Sequence, residues 1–98
     1  LAVHTGTARW YAPFNLTISD VIPNLRLSAD ADVSLHVRKN GTVVSSITIV
    51  AGTSTIDVTG ANSTWTMVSG DYLTVDVTTV GNTSKGEDLV VQFKYKQT

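Results

Sequence analysis

Asp71-Tyr72-Leu73-Thr74-Val75-Asp76-Val77-Thr78 alternates polar and apolar residues almost without error, behind the turn pair Ser69-Gly70. An extended chain turns successive side chains to opposite faces. Tyr72, Thr74, Asp76 and Thr78 therefore share one face, and Leu73, Val75 and Val77 share the other. The same period recurs at Val33/Leu35/Val37 and at Leu89/Val91/Phe93/Tyr95. The chain thus reads as all-β, built from antiparallel strands.

Working outward, Val33 to Lys39 and Thr42 to Val50 are two alternating runs joined by Asn40-Gly41. Asn-Gly between such runs is the strongest short hairpin signal, because both residues tolerate the positive φ of a type I′ turn. Ala8 to Tyr11 and Phe14 to Ile18 read as strands, separated by Ala12-Pro13. Pro23 argues against a central strand around it, leaving Leu25 and Leu27 for a short strand before Ala29-Asp30. Thr55 to Val58, Trp65 to Val68, 71–80 and 88–96 complete the set, with Gly81 to Gly86 as the last connection. Seven or eight short strands with turn signals about every ten residues predict a β-sandwich, immunoglobulin-like or jelly-roll-like, with a barrel as the alternative. The expected core is Leu16, Ile18, Val33, Leu35, Val37, Leu73, Val75, Val77, Leu89, Val91 and Phe93. Val75→Asp is then expected to prevent folding and Thr74→Asp to be mild.

Ninety-eight residues suit one domain spanning 1–98, and 42% hydrophobic residues can fill a two-layer core. Charged residues make up only 15% of the chain, and Thr and Ser supply the polarity of the strand faces. A net charge of -1 offers no basic surface for nucleic acid or an anionic membrane. The chain has no cysteine, which excludes disulfides, thiolate metal sites and a Cys nucleophile. No apolar run approaches the ~20 residues of a membrane helix, so membrane insertion is not expected. The start at Leu1 suggests the C-terminal domain of a longer protein.

The candidate chemistry is thin. His4 and His36 sit in different elements, and no serine lies in a nucleophile elbow, so no acid–base set is legible and no enzyme is expected. Asp30, Asp32, Asp71, Glu87 and Asp88 are oxygen donors of the kind calcium takes, but none falls in a spaced calcium loop. Turn-forming is their ordinary task, and neither metal nor cofactor is expected. Asn15, Asn40, Asn62 and Asn82 open N-x-Ser/Thr triplets, which in so Ser/Thr-rich a chain arise by composition. The aromatics say more. Adjacent Trp10 and Tyr11 must face opposite ways on a strand, so one of them is left for the surface. Trp10, Tyr11, Trp65 and Tyr72 are the candidate surface-binding residues, since large aromatics offer rigid contact area with a polar tip.

Several pieces in order carry a resemblance: Gly6 to Pro13, Leu16-Thr17-Ile18-Ser19, Val37 to Gly41, Thr48 to Gly52, Gly70 to Val77, Val80-Gly81 and Gly86 to Tyr95. Together they look like a small β-sandwich module of bacteriophage virion proteins, of the tail-fibre, receptor-binding or capsid-decoration type. The resemblance implies a non-enzymatic virion protein that contacts other virion proteins and a host-surface glycan or protein. It also implies an extracellular particle as the location and a homotrimer for the full-length parent. It carries over no catalytic or cofactor residue. The alternatives are a capsid decoration protein and a carbohydrate-binding module of a cellular enzyme, with a hydrolase behind both.

Overall fold

The computed structural model describes residues 3, 6, 9–55, 58–59, 64–81 and 85–98. Its eight strands are β1 (Trp10–Tyr11), β2 (Leu16–Ala29), β3 (Val33–Lys39), β4 (Thr42–Ile49), β5 (Val58–Thr59), β6 (Trp65–Met67), β7 (Tyr72–Thr79) and β8 (Lys85–Gln97). No helix occurs among the described residues. Every pairing is antiparallel, and the strands form two sheets. Sheet A has the order β1-β7-β3-β4; sheet B is centred on β2, with β8 along one side and β6 and β5 end to end along the other. The expected small β-sandwich is the architecture found.

Alternation decides which rows enter the core. Val33, Leu35 and Val37 of β3 oppose Ile49, Ile47 and Ser45 of β4, and Leu35 and Val37 oppose Val77 and Val75 of β7. Sheet B answers with Leu16, Ile18, Val21, Leu25, Ala29 and Met67, all buried. Burying each Leu, Ile or Val side chain is worth ~1.5–3 kcal/mol. Of the expected core residues, Leu16, Ile18, Val33, Leu35, Val37, Leu73 and Val77 are fully buried, while Val75, Leu89, Val91 and Phe93 are half-buried against them.

One strand is far longer than the sequence patterning suggests. β2 runs unbroken from Leu16 through Pro23 to Ala29, where two short strands around an interruption are expected. The reason lies in which way Pro23 turns its nitrogen. Leu25 N–H donates to Ser54 O at 2.7 Å, on the side of β2 away from β8. Backbone groups two residues apart point the same way, so the Pro23 nitrogen also faces away from β8. Its missing N–H leaves the β2–β8 ladder intact, and Pro23 pairs in register with Val91. A bulge inserts Ser19 between the register pairs Ile18↔Tyr95 and Asp20↔Lys94. Further along, Asn24 bridges Thr55. The expected strand over Thr55 to Val58 falls partly outside the described residues, as do His4, Asn62 and Asn82.

The Asn40-Gly41 hairpin forms as read: φ is 52° at Asn40 and 88° at Gly41, the pair of positive values a type I′ turn requires. Asn40 does more than turn. Its backbone N–H donates to Tyr72 O, its Oδ1 accepts from Tyr72 N–H, and its Nδ2 donates to Asp71 Oδ1. The hairpin tip is thereby tied to the start of β7, and the amide nitrogen a glycan would need is committed to structure.

Candidate functional site

The four aromatics singled out by sequence do not form one group. Trp10 pairs with Leu73 across the β1–β7 ladder, and Tyr11 pairs with Tyr72. Directly opposed residues share a face, so Trp10 turns toward the space between the sheets and Tyr11 toward the outer face of sheet A. On that outer face the Tyr11 and Tyr72 ring centroids are 5.8 Å apart. The Arg9 guanidinium carbon lies 4.3 Å from the Tyr72 ring centroid, and Arg9 Nη1 donates to the Tyr11 hydroxyl at 3.3 Å. That hydrogen bond raises the Arg9 pKa further above its already basic value, so the cation is permanent.

Trp10 does not sink into the core. It is 38% exposed and meets Tyr95 of β8 with centroids 6.3 Å apart; Phe14 stands 5.9 Å from the same tyrosine. This second group closes the open side of the sandwich, where the β1 edge of sheet A faces the β8 edge of sheet B. Tyr11 is 54% and Tyr95 49% exposed. The two aromatic groups lie on either side of one short strand, and together they make a ridge wrapped around β1.

Trp65 stands apart. It pairs with Ile18 on β6 and meets Phe93 edge-on at 6.4 Å, and its Nε1 is buried with no hydrogen-bond partner among the described residues. It packs against the core rather than presenting a surface, which corrects its place among the candidate binding residues. Arg9, Phe14 and Tyr95 belong to the ridge but were not singled out by sequence. Arg9 could have been found by its adjacency to Trp10-Tyr11. Tyr95 reads as one more member of a core-facing row and becomes a surface residue only because β8 lies at an edge.

The polar row of β7 behaves unlike an exposed face. Thr74 is 8% and Asp76 5% exposed, although both point away from the core. Asp76 Oδ2 accepts from Arg38 Nε at 2.5 Å, and Asp76 Oδ1 accepts from Gly6 N–H at 2.8 Å. The Arg38 hydrogen bond, and after it that from Gly6, holds the Asp76 carboxyl below the usual carboxylate range against the opposing effect of burial. His36 sits opposite Asp76 in the ladder. A Cβ at Gly6 would collide with the Val75 carbonyl oxygen, so only glycine can come this close to β7. Thr74→Asp is therefore a change at a covered position, which corrects the expectation of a mild surface substitution.

Asp32 and Asp71 act as turn formers. Asp32 accepts from Ala51 N–H, and Asp71 accepts from Val68 N–H. No group of three or more His, Cys, Asp or Glu able to hold a metal occurs among the described residues. On the outer face of sheet B, Ile22, Asn24, Arg26, Val90 and Gln92 line a shallow depression of about 420 Å³. No protein-family model, curated protein or solved structure matches the chain.

Proposed function

We propose that this domain is a non-catalytic binding module of a bacteriophage virion, and that the aromatic ridge around β1 contacts a host-surface glycan. The observation that carries the reading is the ridge itself: Trp10, Tyr11 and Tyr95 stand exposed around one strand, with the Arg9 cation held over Tyr72. Rings already braced against one another offer apolar faces to the C–H side of a sugar at little cost in side-chain freedom, while the Arg9 guanidinium and the tyrosine hydroxyls supply polar partners at the margin. The virion assignment rests on the sequence resemblance, and repeated display on a particle suits weak single contacts.

The test is titration of the domain with purified bacterial surface polysaccharides by calorimetry, alongside Tyr11→Ala and Trp10→Ala. Loss of binding in both variants, with melting curves of folded proteins, supports the reading. Association with purified capsids and none with cell-surface glycan moves the domain to the capsid-decoration alternative. Turnover of a glycan, peptide or ester, abolished by replacing one acid or histidine, overturns the non-catalytic assignment.

A further inference from the structure

Each sheet ends in an edge, and the edges are not alike. β4, the outer strand of sheet A, carries a bulge at Val44, because Val37 pairs with Ser45 while Arg38 pairs with Val43. Bulges twist an edge and spoil it as a template for another strand. β1 is two residues long. β8 is different: thirteen residues, regular along its length because the bulge in its pairing lies on β2, and paired among the described residues with β2 alone.

The hydrogen-bonding direction along β8 follows from its contacts. Lys94 O accepts from Ser19 Oγ of β2, so the even-numbered residues turn their backbone groups toward β2. Leu89, Val91 and Phe93 then turn theirs toward the open edge. A row of outward N–H and C=O groups on a long regular strand is a site for strand addition.

We infer that the occupant is a second copy of this chain, paired β8 to β8 in antiparallel fashion about a twofold axis at Val91. The charge order along the strand selects this partner. The first half of β8 holds Glu87 and Asp88, and the second half holds Lys94 and Lys96. A parallel neighbour would set like charges beside each other, whereas an antiparallel copy sets acid against base. Centring on Val91 places Val91 opposite its own equivalent and Leu89 opposite Phe93 of the second copy, on the core-facing side. In register it sets position 88 against position 94 twice, and on the outer side it places Val90, 63% exposed in the single chain, opposite Gln92. Sheet B becomes continuous across two molecules. The Tyr11–Tyr72–Arg9 group lies on the outer face of the other sheet, whereas Tyr95 of the ridge stands on β8 beside the paired edge.

Edge pairing of this kind falls at the small end of specific interfaces, so a dissociation constant of roughly 10–100 μM is expected. Sedimentation velocity on the 98-residue chain, from about ten times below to ten times above that range, measures it. The expected result is a concentration-dependent rise toward twice the 10.5 kDa chain mass. Val91→Pro removes an N–H from the open edge without touching the β2 ladder and should give a folded monomer. Lys94→Glu sets two like-charged pairs across the axis and should weaken association at least about tenfold. Adding Asp88→Lys to it should restore pairing. A monomer at all concentrations overturns the proposal. So does a trimer, which a twofold contact cannot build, or a dimer indifferent to both Val91→Pro and Lys94→Glu.

Discussion

β7 and β8 are both written as alternating strands, yet their two rows meet opposite fates. In β7 the polar row is hidden: Thr74 and Asp76 are buried, Asp76 against Arg38 and the Gly6 N–H. In β8 the apolar row is only partly hidden: Leu89, Val91 and Phe93 are half-buried, and Tyr95 stands in the open. β7 is flanked by β1 and β3, whereas β8 has β2 on one side only. Alternation decides which side chains share a face. Place in the sheet, and whatever crosses over it, decide which faces are wet.

The largest effect should come from placing a charge on the core-facing row of β7, set against the same charge on the outer row of β8. Val77→Asp puts an unpaired carboxylate in the core and should cost more than about 4 kcal/mol, enough to abolish the folded baseline in a urea melt. Val90→Asp, on the outer face of β8, should cost about 1 kcal/mol or less. Similar costs for the two would erase the contrast.

Next comes Asp76→Ala, which strands Arg38 and the Gly6 N–H. Arg38 keeps access to water, so a loss of about 2–3 kcal/mol is expected rather than that of a fully buried pair. The pH dependence has a definite sign. Because the folded Asp76 pKa lies below its ordinary 3.8, the stabilisation is present above that value and is lost as pH falls through the lower, folded one. The gap between wild type and Asp76→Ala in denaturant midpoint should therefore be widest at neutral pH and narrow below about pH 4. An undiminished gap in acid would falsify the role given to this carboxylate.

Smaller effects should come from the two glycines that let other segments reach β7. Gly6→Ala should lift its segment off β7 at a cost of about 1–2 kcal/mol, reported by faster amide exchange at Gly6's position and its neighbours on β7. Gly41→Val has open space for its side chain but the wrong backbone angle, so about 1–2 kcal/mol is expected from conformation alone. If a crystal structure of this variant kept the positive φ and the full stability, the turn would be ruled out as a source of strain.

Much of the fold was legible in the sequence. The β3–β4 hairpin, the buried rows of β3 and β7 and the two-layer architecture follow from period and turn chemistry acting over short distances. Pro23 misled because its consequence depends on which side of β2 carries the ladder, and that is set by a strand some sixty residues further on. Asp76 misled because one of its partners, the Gly6 N–H, comes from the other end of the chain. The site was legible only as a set of residue types. Tyr11 and Tyr72 come together because β1 pairs with β7, and Trp65 leaves the set because β6 packs it against Phe93. Neither pairing has a local signal.

The β2–β8 ladder also dictates the order of events as the chain folds. Leu16 pairs with Gln97 and Ala29 with Lys85, so the strand at the centre of sheet B waits for residues synthesised long after it. The β3–β4 hairpin can close within microseconds, but closing the loop between β2 and β8 costs entropy that the short β2–β5 and β2–β6 pairings repay only in part. Refolding is therefore expected on the millisecond-to-second scale of non-local β proteins, with sheet A's hairpin formed first and β8 docking last.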